Sequence, residues 1–347
     1  MSLTYSEVKK QYEALQQTYD YMLSKREAIA TFFASKNITS AIFAGCGSSY
    51  CLSQSAALSM KIRGGLSATA LAGGDLMLNA ERYQALFRDA VLVAPSRSGS
   101  TSEVIHAANA IRKNQDVPII AISCVAGSGL SKLSDLALEL PWAFDHSVCQ
   151  TRTVTNLYLA NLMLAAFVGQ DEALLQDLKQ AIALGDAYME RVEASIREAA
   201  SFEWKSAVLL ADGELQGLAG EGAIALTEIA NADAHAYHLL DVRHGPMVTV
   251  RKDTLVIAVL TKDGNDYQQD LMKDIKARGA KVVAYAAEEK HIPSQYVDLA
   301  VVSGQALDVA AQGLPFIFIP QIAALAKAEL LGIDPDQPDG LVSWVKL

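Results

Sequence analysis

Cysteine is scarce in this chain, with four residues among 347, and none of the four forms a C-x-x-C pair of the kind that binds zinc. They are Cys46, Cys51, Cys124 and Cys149. A chain of this length can bury a core without cross-links, so we predict reduced thiols and a cytoplasmic protein. The polar opening residues, which do not resemble a signal peptide, favour the same compartment.

Positive charge is also in short supply, with 29 Lys and Arg against 39 Asp and Glu and a formal net charge of -10. This balance argues against nucleic acid or an anionic membrane as the main partner. The most apolar segment, residues 313–332, is interrupted by two prolines and by charged residues, so we predict a core helix rather than a membrane span. With 51% hydrophobic and 20% charged residues, the chain can bury large cores.

Strand-like apolar runs alternate with helical patterns along the chain, which predicts an α/β fold with a doubly wound, mostly parallel sheet. The runs occur at residues 38–44, 91–94, 117–124 and 136–140. The same order returns at residues 207–213, 254–260, 280–285 and 298–302. This internal repeat predicts two related domains in tandem, with a break near residues 203–205.

The domain organisation follows from this repeat. We predict an N-terminal helical segment over residues 1–35, a first domain over residues 36–200, and a second domain with a C-terminal tail over residues 201–347.

The stretch after residues 91–94 changes abruptly from apolar to hydroxyl-rich. Pro95 is expected to end the strand, and hydroxyls then surround Gly99 just before a helical pattern that starts at Glu103. These hydroxyls belong to Ser96, Ser98, Ser100, Thr101 and Ser102. Free backbone amides, a positive helix end and small donors together suit a phosphate dianion. A simple Ser/Thr-capped helix start has the same pattern, and both interpretations remain open here.

An earlier glycine-rich turn, G-C-G-S-S at residues 45–49, also joins a strand to a helix. It lacks the third glycine of G-x-G-x-x-G, and no acidic residue follows at the distance needed to bind a ribose. A nicotinamide enzyme is therefore the less favoured interpretation, and we expect no cofactor.

The second half carries candidate acid–base groups. Glu221 and Glu228 are seven residues apart in a helical pattern and share a face, among small apolar residues where a carboxylate is costly unless paired or used. His244 precedes a Gly-Pro turn, and histidine is the side chain best suited to proton exchange near neutrality. Alternatively, Glu228 is a structural carboxylate paired with a neighbouring cation, and His244 caps a loop. A zinc site of His235, His238 and His244 lacks a fourth ligand.

Six motifs in order resemble the tandem sugar isomerase (SIS) family, from about residue 38 onward, and are similar to the isomerase half of glutamine:fructose-6-phosphate amidotransferase. They are G-C-G-S-S-Y at 45–50, S-R-S-G-S-T at 96–101, V-C-Q-T-R-T-V-T at 148–155, E-G-A-I-A-L-T-E-I at 221–229, R-H-G-P at 243–246 and D-Q-P at 336–338.

The resemblance implies roles for individual residues. It implies that the sugar phosphate is bound by Ser49, Ser96, Ser98 and Thr101, with Ser48 and Gln150 beside them. It also implies that Glu228 moves a proton between sugar carbons C1 and C2. His244 would reach in from a second subunit and assist ring opening, which implies a homodimer with shared active sites.

Three positions depart from the family pattern. Arg97 stands in place of Gln and Arg152 in place of Lys, so both put positive charge near the phosphate and are predicted to bind substrate. Ser343 stands where the relative has a lysine at the substrate carbonyl, and Lys346 is a candidate replacement. We also expect no glutaminase domain, and hence no ammonia made from glutamine within this chain.

Three functions fit these patterns. The first is an enzyme acting on an amino sugar phosphate, either an aldose-ketose isomerase or a deaminase. The second is a deglycase that cleaves a fructosamine-6-phosphate-type adduct of a sugar and an amine. The third is a non-catalytic phosphosugar sensor. Because a sensor predicts a missing base and both Glu228 and His244 are present, we favour an enzyme.

Overall fold

The computed structural model describes residues 2–342 and 347, which form two compact units. Unit A consists of residues 10–146, 150–179, 342 and 347, and unit B of residues 2–9, 147–149 and 180–341. The domain limits expected from the sequence, at residues 35/36 and 200/201, stay predictions.

The regular elements alternate along the chain. The strands are β1 Ser40–Gly45, β2 Ser67–Ala72, β3 Ala90–Ser96, β4 Ile119–Ser123, β5 Leu136–Glu139, β6 Ser206–Leu210, β7 Asp233–Tyr237, β8 Thr254–Val259, β9 Lys281–Ala286 and β10 Leu299–Val302. The helices are α1 Leu3–Lys9, α2 Gln11–Ser35, α3 Ser48–Ile62, α4 Gly73–Asn79, α5 Ser102–Asn114, α6 Gly129–Leu133, α7 Arg152–Gly169, α8 Glu172–Ala199, α9 Gln216–Ala230, α10 Asn265–Ala277, α11 Gly313–Phe316 and α12 Phe318–Leu331.

Short 3-10 helices lie between these elements. They are Gln84–Phe87, Pro141–Ala143, Gly213–Leu215, Leu240–Arg243, Pro246–Thr249, Lys262–Gly264, Glu289–His291 and Ser294–Tyr296.

Unit A is built on a five-stranded parallel sheet in the order β2-β1-β3-β4-β5. Its central strand β3 is buried along its whole length, which is why its sequence is a nearly continuous apolar run rather than an alternating one. The helix α7 is buried from Thr153 to Phe167 and packs against α2 and α3. Sheet and helices thus enclose the core of this unit.

Unit B repeats the same architecture. Its five parallel strands are in the order β7-β6-β8-β9-β10, which matches β2-β1-β3-β4-β5 position by position. The fully buried β8 corresponds to β3, and the buried helix α12 packs against α9. The predicted fold class, two doubly wound parallel-sheet domains in tandem, is confirmed.

The apolar segment near the C-terminus is a core helix, as predicted. Residues 313–331 are the one helical stretch in the described chain long and apolar enough to cross a membrane, and 83% of its most apolar window is buried inside the structure. Lys327 on this helix donates to the Trp204 carbonyl at 2.6 Å, and its ammonium lies 4.5 Å from the centre of the Trp204 ring. These contacts satisfy a lysine that would otherwise be costly to bury.

The prediction that Pro95 ends its strand is wrong. The strand β3 continues to Ser96, with Pro95 opposite Ile122 of β4. The Leu92 N–H donates toward β4. Because backbone groups of successive residues in a strand face opposite sides, the nitrogen of Pro95, which carries no hydrogen, faces β1. Pairing with β1 has already ended at Val93, so the proline removes no hydrogen bond from the sheet.

Candidate functional site

The hydroxyl-rich stretch forms a tight turn at the carboxyl end of β3, which we call the serine turn, residues 96–101. Gly99 has a φ of +57°, in the left-handed region that favours glycine. The Ser96 Oγ accepts from the Gly99 N–H at 3.0 Å, and the Ser98 Oγ accepts from the Ser100 N–H at 3.1 Å. The hydroxyls therefore brace the turn that presents them.

The serine turn leads into α5 without ordinary capping. Thr101 is the N-cap residue, and within the described chain its side chain makes no capping hydrogen bond to the helix. The interpretation of this stretch as a simple capped helix start is therefore not supported. The positive end of α5 and the hydroxyls of the turn lie at the same point of the fold, as an anion site requires.

The first glycine-rich turn lies beside the serine turn. The strands β1 and β3 are neighbours, and the carboxyl ends of parallel strands meet at one edge of the sheet. Gly47, with a φ of +53°, turns the chain so sharply that α3 already begins at Ser48, inside the glycine-rich turn predicted from the sequence. Ser48 and Ser49 are thus first-turn residues of a helix at the switch point of the sheet, where doubly wound folds bind ligands.

Two arginines lie close to this sheet edge. Arg97 is 5% exposed, and the Arg152 guanidinium is bonded to the Phe144 carbonyl. Burial raises the pKa of the Cys124 thiol, Asp145 raises it further, and the positive charges of Arg97 and Arg152 oppose both effects. Both guanidinium groups are therefore within electrostatic range of Cys124, the residue that follows β4.

Asp145 organises the start of α7 and was not found from the sequence. It is 1% exposed, and its Oδ2 accepts from the Thr151 N–H at 2.7 Å and the Thr153 N–H at 2.8 Å. Its Oδ1 lies 3.6 Å from the Arg152 Nε. Capping residues ordinarily lie directly before a helix, whereas Asp145 lies several residues before α7. The only sign of its role in the sequence was therefore an acidic residue upstream of a helix.

Gln150, next to this cluster, has a buried acceptor. Among residues 2–342 and 347, no hydrogen-bond partner reaches its buried Oε1. An unsatisfied buried acceptor costs about 1–3 kcal/mol, and a hydroxyl donor from a ligand would remove that cost. All eight predicted substrate-binding residues belong to unit A; they are Ser48, Ser49, Ser96, Arg97, Ser98, Thr101, Gln150 and Arg152.

The two predicted catalytic residues belong to unit B. Glu228 lies near the end of α9 and is partly exposed, whereas Glu221, two turns earlier, is 1% exposed. His244 is exposed and follows a 3-10 helix. Its backbone N–H donates to the Asp241 carbonyl at 2.9 Å. The neighbouring Arg243 is paired with Asp274 at 2.6 Å. Ser343 and Lys346 lie outside the described residues.

The other histidines of this region are paired with carboxylates. His235 Nε2 lies 2.9 Å from Asp233 Oδ1, and His238 Nδ1 lies 3.1 Å from Asp212 Oδ1. In the part of the chain that the structure describes, no three His, Cys, Asp or Glu side chains are grouped so that they could hold a metal ion.

The D-Q-P motif contributes to folding through Asp336. Its carboxylate accepts from the Leu3 and Thr4 N–H groups, each at 2.7 Å, and so caps α1 from a distant part of the sequence. Burial alone would raise the pKa of Asp336, but the hydrogen bonds from Thr4 and Leu3 together hold it below its ordinary value. Deprotonated Asp336 therefore stabilises the folded state.

Replacing Asp336 with Asn is expected to lower the free energy of unfolding at pH 7 by about 1 kcal/mol. Because the folded-state pKa is depressed, this stabilisation is present above the unfolded pKa of about 3.9 and is lost as the pH falls through the folded value. The difference from the native protein should therefore shrink below about pH 4. Urea denaturation from pH 7 to pH 3 measures it. Asp339→Asn, an exposed control, should change little, and a pH-independent difference would contradict the capping role.

Comparison with known proteins agrees with this architecture. The sequence model of the SIS domain matches residues 33–167 and 202–305. A glutamine–fructose-6-phosphate aminotransferase (isomerizing) from Pyrobaculum aerophilum is 31% identical over 273 residues, which cover 76% of this chain and 45% of the relative. The chain spans about half the length of the curated relatives it matches.

Solved structures share the fold over the whole chain. A glucosamine-6-phosphate deaminase from Thermotoga maritima superposes with a TM-score of 0.81 at 24% identity, covering 100% of both chains. A tagatose-6-phosphate ketose/aldose isomerase from Escherichia coli has a TM-score of 0.85 at 22% identity, covering 98% of this chain and 96% of the other. At these identities the likeness concerns the fold. With the SIS model matching a segment in each half, the chain belongs to the SIS domain family.

Proposed function

We propose that this protein is an enzyme that acts on a phosphorylated amino sugar by ring opening and proton transfer between C1 and C2. The reaction is of the aldose-ketose isomerase or deaminase type. Relatives and structural neighbours named as an aminotransferase, an isomerase and a deaminase support an enzyme over a non-catalytic sensor.

The observation that carries this proposal is the serine turn. Its hydroxyls, its left-handed glycine and the start of α5 coincide at the sheet edge where doubly wound folds bind ligands. Arg97 and Arg152 add positive charge to a chain that is acidic as a whole, which favours an anionic ligand at this one place. A sugar phosphate supplies both the dianion and the hydroxyl groups that would satisfy Gln150.

The proposed chemistry needs one base and one acid. Glu228 removes the proton from one of the two sugar carbons and returns it to the other, through an enediol or enamine. His244 protonates the ring oxygen as the bond from the anomeric carbon to that oxygen breaks, and it regains a proton from the anomeric hydroxyl, which becomes the carbonyl. The exposed position of His244 supports donation from a second copy of the chain in a homodimer. A one-subunit species with full activity would contradict that shared role.

A panel of substrates tests the reaction type. The protein is incubated with hexose 6-phosphates, hexosamine 6-phosphates and fructosamine 6-phosphates, and the products are identified by mass spectrometry. Interconversion of aldose and ketose forms, or loss of ammonia from a hexosamine 6-phosphate, supports the proposal. Cleavage of the fructosamine adducts alone would make the protein a deglycase. Binding of sugar phosphates without any turnover would make it a sensor.

Ser98→Ala is expected to raise KM for the phosphorylated substrate by about 10- to 100-fold, since a hydrogen bond to a charged group contributes roughly 1.5–3 kcal/mol. Binding of the unphosphorylated sugar should not change. Steady-state kinetics and titration with inorganic phosphate measure the two effects. Ser24→Ala, which removes an exposed hydroxyl from α2, is the control. Equal losses for phosphorylated and unphosphorylated ligands would argue against phosphate binding by Ser98.

A further inference from the structure

Unit B has a pocket of its own at the carboxyl edge of its sheet, with a volume of about 260 Å³. Its walls include Leu215, Leu260 and Ala287, which lie in the loops after β6, β8 and β9. In unit A the corresponding positions after β1, β3 and β4 are the start of α3 at Ser48, the serine turn and Cys124. The unit B pocket is therefore the topological counterpart of the proposed phosphate site.

The chemistry of this pocket differs from that of the serine turn. The loop after β8 offers a single hydroxyl, Thr261, where unit A has several. Three carboxylates line the pocket, those of Asp263, Glu288 and Asp308. Carboxylates in the lining of a pocket repel a phosphate dianion. The pocket is thus unsuited to a second sugar phosphate.

Groups that can donate to an anion face the same space. The Lys262 ammonium and the His291 imidazole both line the pocket. The ion pair of Glu288 with Lys290 at 3.0 Å lowers the pKa of Glu288, and the charge of Lys262 lowers it further. The Glu288 carboxylate is therefore paired with a neighbouring lysine. Asp263 and Asp308 are the other acidic groups around the cavity, and the Asp308 Oδ1 also accepts from the Ala310 N–H at 2.8 Å.

The walls of the pocket are held in place by hydrogen bonds. The Tyr285 hydroxyl donates to the Gln312 Oε1 at 2.5 Å, and the Gln312 Nε2 donates to the Gln305 carbonyl at 2.9 Å. The Thr261 N–H donates to the Gln268 Oε1 at 2.9 Å. A pocket whose polar walls are already ordered loses little entropy when a ligand binds.

The size of the pocket limits the ligand. The cavity of about 260 Å³ is smaller than the roughly 300–1,000 Å³ of pockets that hold drug-sized ligands, so a small ligand suits it. An amino acid fits, and Leu215, Leu307 and Val309 offer aliphatic surface to its side chain.

We propose that the unit B pocket binds a free amino acid, with its ammonium group toward Asp263 and Asp308 and its carboxylate toward Lys262 and His291. The site is separate from the proposed phosphate site and does not depend on the reaction proposed above.

Calorimetric titration of the full chain with L-leucine, L-lysine and L-glutamate tests this inference, with n-butylamine and butyrate as probes that carry one charge each. At least one amino acid should bind, and each single-charge probe should bind at least about tenfold more weakly. Lys262→Met and Asp263→Asn should each weaken amino acid binding by about tenfold or more. Matched controls on α10, Lys273→Met and Asp270→Asn, replace exposed charges outside the pocket and should leave it unchanged.

Three results would overturn the inference. One is the absence of binding by all three amino acids up to about 10 mM, the range of the weakest useful affinities. Another is amino acid binding that is unchanged in the Lys262→Met protein and also in the Asp263→Asn protein. The third is binding of inorganic phosphate that is lost in Lys262→Met, which would make the pocket an anion site. Melting temperatures of the variants, compared with those of their controls, establish that each protein is folded.

Discussion

Replacing Glu228 with Gln is expected to lower kcat by about 10²- to 10⁴-fold, the usual contribution of a general base. Gln has nearly the same shape but cannot accept the carbon-bound proton, so KM should change much less than kcat. Because Glu228 is partly exposed near the end of α9, the substitution should not disturb the core. Turnover of the active member of the panel gives kcat and KM. Incubation in D₂O reports the proton transfer directly. The Glu228→Gln protein should incorporate less deuterium at the substrate carbons than the native protein does.

Two controls separate catalysis from binding and folding. Glu198→Gln, an exposed glutamate on α8, should retain full kcat. The Glu228→Gln protein should still bind inorganic phosphate like the native protein, since the proposed phosphate site belongs to unit A. Full turnover by Glu228→Gln would show that another group is the base.

Gly99→Ala is expected to lower the free energy of unfolding by about 2–5 kcal/mol, the sum of two penalties. The first is the left-handed backbone, with φ at +57°, which costs an L-residue about 1–2 kcal/mol. The second is a collision, because a Cβ at this position would lie 2.2 Å from the Ser128 Oγ and 2.5 Å from the Ser128 Cβ. Urea denaturation measures the loss, and phosphate titration should show a weakened site.

Gly127→Ala isolates the first penalty. Gly127 has a φ of +62°, and a Cβ built there meets nothing within 4 Å. Its replacement should cost only the backbone strain of about 1–2 kcal/mol and leave phosphate binding unchanged. Equal losses in the two variants would mean that packing against Ser128 does not hold the serine turn in place.

The alternation of apolar runs and helical patterns was enough to predict both sheets, because strands buried on two faces require continuous apolar sequence. Element ends were less predictable. The start of α3 at Ser48 depends on the sharp turn at Gly47, and the length of β3 depends on where its pairing with β1 stops at Val93. Local sequence does not reveal the φ that Gly47 adopts or the residue at which pairing with a neighbouring strand stops.

The serine turn was predictable because its hydroxyls and its glycine are consecutive in the chain. The role of Asp145 was not, because it joins the start of α7 and Arg152 across a loop. The capping of α1 by Asp336 was also hidden, since the partners are more than 300 residues apart.

Local order along the chain therefore specified the class of fold, its duplication and the hydroxyl turn, since periodicity and consecutive polar groups act over a few residues. Contacts between distant segments set the rest: the burial of Arg97, the capping of α1 by Asp336, and the pocket at the carboxyl edge of the second sheet. Those features depend on which loops the parallel strands bring side by side, and that arrangement exists only in the packed chain.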